Sequence, residues 1–310
     1  MKLFVGLVCL AFAVAVSATE IASSEISPVF DYHRRFGIPE AARIKNLEEN
    51  EQFNGQRIVG GSVTDISETP YQAGLVITIW FIFQSVCGAS LISANRLITA
   101  AHCQFDGVNV ATSFTVVLGS NTIFSGGTRI VTTDVVMNPG WNPNTAADDI
   151  AVIRIANSVT FTNVIQPIAL PSGDELTNDF VNWTALASGF GVTADGSNIP
   201  NNQRLSSVTV SIITNAACAA VYGPSVHPTN ICTSGAEGRG ICSGDSGGPL
   251  AVESISSRIL VGVTSYGAVA GCQAGFPAGF ARVTSFITSS YNNTARQRYL
   301  VCSSIAYSFL

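Results

Sequence analysis

The chain has 310 residues and a formal net charge of −5 at pH 7, and only 11% of its residues are charged. That balance excludes a basic nucleic-acid-binding surface. The length allows one large domain or two small ones around well-buried cores.

The chain opens with Lys2, an apolar run from Leu3 to Val16, then Ser17 and Ala18. This charged, apolar, small-residue order predicts a secretory signal over residues 1–18. An apolar run of about 14 residues is shorter than the roughly 20 needed to span a bilayer, so secretion is expected rather than membrane anchoring. From residue 19 to Arg57 charges crowd together, as in HRRFGIPEAARIKNLEENEQFNGQR, and apolar periodicity is weak. Those features predict a pro-segment rather than a packed domain.

From Ile58 onward the texture changes. Short apolar runs such as FTVVLG, DIAVIRIA, SSVTVSII and ILVGVTSYG alternate with Gly, Asn, Asp and Pro clusters. Many short strands follow, hence an all-β barrel or sandwich. This region has nine Arg, no Lys and thirteen Asp plus Glu. Arg keeps its charge at a pH where Lys loses it, so the missing lysines suit an alkaline lumen. Drift in a charge-poor chain explains them equally well.

Cys9 lies in the signal; Cys87, Cys103, Cys218, Cys232, Cys242, Cys272 and Cys302 follow. In a secreted chain disulfides are favoured over metal, and the spacings lack the close Cys pairs of zinc sites. Seven is odd, and Cys302 near the C-terminus is the natural one to be left over.

The stretch GRGICSGDSGGPL places Ser246 among glycines. Such a serine occurs in ordinary turns as well as in nucleophile motifs, and a nucleophile needs a base and a group that orients the base. The only histidines are His33, His102 and His227. An α/β-hydrolase would need its histidine after the serine, and none follows Ser246. The order His, Asp, Ser is filled by His102 in LITAAHC and Asp149 in AADDIAVIRI. The adjacent Asp148 should point the opposite way by strand alternation and read as a solvated turn carboxylate. His227 reads as a loop histidine.

RIVGG at Arg57–Gly61, TAAHC at Thr99–Cys103, DIA at Asp149–Ala151 and GDSGGP at Gly244–Pro249 stand in one order over about 230 residues. Together they resemble the chymotrypsin-like serine endopeptidases, and most of all the digestive enzymes of invertebrates such as those of the insect midgut. The resemblance implies two six-stranded antiparallel Greek-key β-barrels, about 58–170 and 171–283, with the active site between them and a short C-terminal helix. The enzyme domain would span residues 58–291, with residues 292–310 as an atypical tail. His102, Asp149 and Ser246 would form the catalytic triad, and the backbone N–H groups of Gly244 and Ser246 the oxyanion hole. Cleavage after Arg57 by a trypsin-like activating protease would free Ile58 to pair with Asp245 and complete that hole. The disulfides would be Cys87–Cys103, Cys218–Cys232 and Cys242–Cys272.

The same resemblance makes Gly240 the floor of the primary specificity pocket, with Ile241 beside it and Gly267 and Ala278 as walls. None is acidic. A substrate Arg or Lys would be buried unpaired there, so a large apolar P1 residue, namely Phe, Tyr, Leu or Met, is expected. Broad or collagenolytic cleavage and a non-catalytic homologue are the alternatives. Ser265, Tyr266 and Gly267 would pair with the substrate backbone as an added strand. No cofactor is implied, and the loop GSNTIFSGGT has no carboxylate for calcium. Partners would be protein and peptide substrates, the activating protease and protein inhibitors, but neither nucleic acid nor membrane. The molecule would be a monomer acting in the gut lumen. Asn182 and Asn292 carry glycosylation sequons.

Overall fold

The computed structural model describes residues 27–49, 62–192, 194–195 and 204–287. The leader, Arg57, Ile58, Asn292, Cys302 and the tail 292–310 lie outside the described residues.

Strands dominate. In chain order they are β1 (Ser62–Val63), β2 (Gln72–Ile79), β3 (Phe83–Ser93), β4 (Arg96–Thr99), β5 (Ala111–Leu118), β6 (Thr128–Thr132), β7 (Val135–Met137) and β8 (Ala151–Arg154). Then come β9 (Thr184–Gly189), β10 (Ser206–Ile213), β11 (Asn230–Thr233), β12 (Pro249–Glu253), β13 (Arg258–Tyr266) and β14 (Ala278–Arg282). The first sheet runs β6-β5-β2-β3-β4-β8-β7. Its two end strands, β6 and β7, are separated only by Thr133 and Asp134, so they act as one broken strand that brings the sheet round on itself. In the second sheet β10-β11-β14-β13-β12-β9 closes through an added β9–β10 pairing. Every pairing between named strands is antiparallel. These are the two expected barrels. One detail of the boundary differs: β1 pairs with β10, Ser62 opposite Ser207, so the first strand of the domain belongs to the second barrel. The turn Val283–Phe286 after β14 is the short C-terminal helix.

The sequence of β2, QAGLVITI, reads as a continuous apolar run because both its faces are covered. Ala73, Leu75, Ile77 and Ile79 point into the first barrel's core with Phe114, Val116 and Leu118 of β5. Val76, on the other face, packs with Val86, Val117, Ile123, Phe190 and Leu205. Two further members of that cluster are Ala41 and Ile44, from the segment expected to lack a packed structure.

That segment is folded. A π-helical turn over His33–Gly37 runs into α1 (Ile38–Glu49), which lies against the outside of the first barrel. The expectation failed because the buried face of the segment is not purely apolar. Glu40, Glu48 and His33 are buried alongside Ala41 and Ile44, so the helical period of hydrophobic residues is weak. Glu48 and His33 find partners in the body of the protein: Glu48 accepts from the Ile123 and Phe124 N–H groups and from Ser125 Oγ, and His33 Nδ1 meets Ser85 Oγ, while Glu40 pairs with Arg43 of the same helix. The loop that has no carboxylate of its own thus receives one from α1.

Candidate active site

Each of the three residues in the His, Asp, Ser order comes from a different element, and the fold brings them to the seam between the barrels. His102 occupies a 3-10 turn, Ala101–Cys103, directly after β4. The Cys87–Cys103 disulfide ties that turn to β3. Asp149 precedes β8, and Ser246 lies in the turn between Cys242 and β12. The His102 backbone N–H donates to Asp149 Oδ1 at 2.9 Å, and Nδ1 meets Oδ2 at 2.7 Å. Both side chains are fully buried. One carboxylate therefore holds the imidazole through ring and backbone together.

Ser265, at the end of β13, donates its hydroxyl to Asp149 Oδ2 at 2.6 Å. Sequence reasoning assigned Ser265 a backbone role and missed this side chain. Asp148 is turned away by a left-handed backbone, φ 55°, and not by strand alternation, since both residues precede the strand. Nor is it merely solvated, because it accepts from Thr229 Oγ1 at 2.9 Å. His227 is in a loop, with Nε2 at 2.8 Å from the Thr145 carbonyl.

Around Ser246 the glycines have steric reasons. Gly244 has φ +98°, a conformation that disfavours any side chain, and a Cβ there would lie 2.9 Å from the Gly191 Cα. The Ser246 carbonyl accepts from the Gly88 N–H at 2.6 Å, which fixes the turn to the first barrel. Asp245 is directed inward. Its carboxylate accepts from the Gly191 and Cys242 N–H groups, each at 2.8 Å. Burial pushes its pKa up to about 7, and the nearby Glu40 adds to the effect.

The remaining disulfides, Cys218–Cys232 and Cys242–Cys272, are paired as expected. Among the described residues, two groups of metal-ligand type, one at Cys87, His102 and Cys103 and one at Asp195, Cys242 and Cys272, each contain a disulfide, whose sulfurs are not thiolates.

Residues 58–289 match the model of the Trypsin family. The chain belongs to the trypsin family. Its relatives include a collagenase of Hypoderma lineatum, 38% identical over 82% of this chain and 91% of that protein. Brachyurin of Leptuca pugilator is 40% identical over 74% and 95%, and trypsin alpha of Drosophila erecta is 40% identical over 70% and 79%. A solved structure described as HL collagenase superposes with a TM-score of 0.67 at 38% identity, covering 74% of this chain and 95% of that one. As a member of the trypsin family the protein is a serine endopeptidase.

The residues expected to form the specificity pocket are gathered beside the Cys242–Cys272 bridge. A Cβ added to Gly240 would meet no atom within 4 Å, so the backbone there borders open space. Ile241 reaches across toward Gly267, where an added Cβ would lie 3.4 Å from the Ile241 Cδ1. Ala278 sits on β14 in the second barrel's core, with Ile241 and Cys272 packed against that core. Tyr266 stacks edge-on with Tyr222, ring centroids 5.1 Å apart.

One occupant of the site was not legible in the sequence. The Tyr32 ring packs edge-on against the His102 ring, centroids 4.6 Å apart. Its hydroxyl donates to the Val86 carbonyl at 2.9 Å and neighbours the Ser246 side chain and the Gly244 backbone. Ser246 is consequently 7% exposed, and His102 Nε2 has no hydrogen-bond partner among the described residues.

Proposed function

We propose that this protein is a secreted digestive zymogen, cleaved after Arg57, that hydrolyses dietary proteins through His102, Asp149 and Ser246 with preference for large apolar P1 residues. The observation that carries the reading is the buried His102–Asp149 pair, with His102 on a turn whose Cys103 Sγ lies 3.9 Å from the Ser246 carbonyl. Ser246 Oγ attacks the scissile carbonyl as His102 Nε2 takes its proton, and His102 then returns that proton to the leaving amine. Asp149, with Ser265 donating to it, orients the imidazole and stabilises its charged form. The N–H groups of Gly244 and Ser246 stabilise the oxyanion, an effect of roughly 3–4 kcal/mol per donor in other proteases.

Activation has its own support. Asp245 is buried, and its described partners are two backbone N–H groups. A new Ile58 amino group would supply a cation to this carboxylate in a medium where the attraction is strong.

For specificity, Gly240 bears no charge and Ile241 narrows the slot toward Gly267, which favours Leu and Phe over Arg. The similarity to proteins named collagenase and brachyurin supports broad cleavage as the second reading. The test is hydrolysis of matched peptides with Phe, Leu, Ala or Arg at P1 by the cleaved protein. Turnover after Phe or Leu that disappears in Ser246→Ala is expected. Turnover only after Arg would refute the pocket assignment.

A further inference from the structure

Residues 27–49 do more than cover an unused surface, because their contacts follow the catalytic machinery from one side to the other. Val29 packs against Tyr266, the strand end on which substrate is proposed to pair. The Asp31 N–H donates to the Asp106 carbonyl at 3.0 Å and the His33 N–H to Asp106 Oδ2 at 2.8 Å. Those two bonds pin the backbone on either side of Tyr32, whose ring and hydroxyl then lie on His102 and beside Ser246. His33 Nδ1 meets Ser85 Oγ at 2.8 Å, and Glu40 packs on Gly244, its Cγ 3.1 Å from where a Cβ would stand.

Gly37 allows this close seating. A Cβ there would fall 2.0 Å from Ser85 Oγ, so a larger residue would lift the turn away from the barrel. What the segment presents to Ser246 is a phenolic oxygen and not a peptide carbonyl. A phenol has no acyl group to transfer, so Ser246 cannot cleave the chain at that point.

We infer that residues 27–49 are a built-in active-site inhibitor, with Tyr32 as its anchor, that blocks the cleft directly and binds the cleaved enzyme in trans in competition with substrate. The inference rests on the proposed assignment of Ser246 and its neighbours as the catalytic centre. None of the contacts above involves the bond after Arg57, so cutting that bond leaves the inhibitory surface intact. Full activity then requires the segment to dissociate or be digested, and it carries its own trypsin-type sites at Arg34, Arg35, Arg43 and Lys45.

The test uses the full chain, cleaved after Arg57 and freed of the segment, with a labelled synthetic peptide of residues 27–49. Fluorescence anisotropy reads binding whether or not the enzyme turns over. Saturable binding is expected, together with a raised KM and unchanged kcat for a small peptide substrate. Peptides carrying Tyr32→Ala or Gly37→Val should bind at least about 30-fold more weakly, as for loss of a buried aromatic anchor. Enzyme phosphonylated at Ser246 should not bind the peptide. The inference is overturned by no binding at about 100 µM peptide, an affinity too weak to matter, or by binding that phosphonylation leaves unchanged. A cleaved enzyme that binds the peptide but hydrolyses nothing would instead refute the proposed function.

Discussion

Two buried titratable residues of the uncut chain respond to pH with opposite sign. Burial raises the Asp245 carboxyl from its ordinary 3.8 to about 7, so between those values the folded state holds a proton that the unfolded state has released. Its contribution to stability is full below about pH 4 and is lost as pH rises through 7. Burial lowers His33 from 6.5 to about 4, so there the unfolded state holds the extra proton. The His33 contribution is full above about pH 6.5 and is lost as pH falls toward 4. The two oppose each other in the native chain, and Glu40, whose carboxyl burial also raises, acts in the same sense as Asp245. Thermal melts of uncut Asp245→Asn between pH 4 and 7 should therefore show a more positive slope of Tm against pH than the native chain, and those of His33→Gln a more negative one. Identical slopes in the two variants would contradict this account. Ser265 gives a separate residue-level expectation. Ser265→Ala removes a donor to a buried charge, worth about 1.5–3 kcal/mol of stability, so the cleaved enzyme should melt several degrees lower and its kcat/KM should drop as well.

At the scale of elements, α1 depends on Ala41 and Ile44 fitting between β2, β3 and the loop before β10. Ile44→Ala should weaken that docking by about 2–4 kcal/mol through lost burial and the cavity left behind. Hydrogen exchange of the uncut chain would read the change as faster exchange confined to residues 27–49, with the barrels unaffected. This element also marks where sequence reading stopped. The His102, Asp149 and Ser246 motifs were legible because catalysis ties particular residue types to short, fixed neighbourhoods, and the barrels because their strands carry dense apolar runs. The plug has neither signature. Tyr32 meets His102 across 70 positions of chain, and α1 uses carboxylates such as Glu48 as buried acceptors, which a hydrophobic period cannot register. What turns Asp148 away and the contact of the Ser265 hydroxyl escaped the sequence for a related reason: a single left-handed residue and a hydroxyl's direction are set by tertiary context.

Across the whole molecule, the segment touches both halves of the fold. Its Ile44 shares a cluster with Val76 of the first barrel and Leu205 beside the second, while its Val29 meets Tyr266 on β13. Removing residues 27–49 should therefore lower the cooperativity of unfolding as well as open the cleft. Calorimetry of the uncut chain and of the cleaved form freed of the segment would detect this as a broader transition in the latter, whereas an unchanged width would mean that the barrels hold each other without help.

The three disulfides among the described residues join Cys87 to Cys103 within the first barrel, and Cys218 to Cys232 and Cys242 to Cys272 within the second. The seam itself is held by packing and by bonds such as Gly88 N–H to Ser246 carbonyl and Ser188 Oγ to Gln72 Oε1. A single nick in the connection from β8 to β9 would thus leave two half-molecules with no described covalent link. Such a protein could circulate intact in dilute buffer, yet would separate into two fragments on a denaturing gel run without any reducing agent.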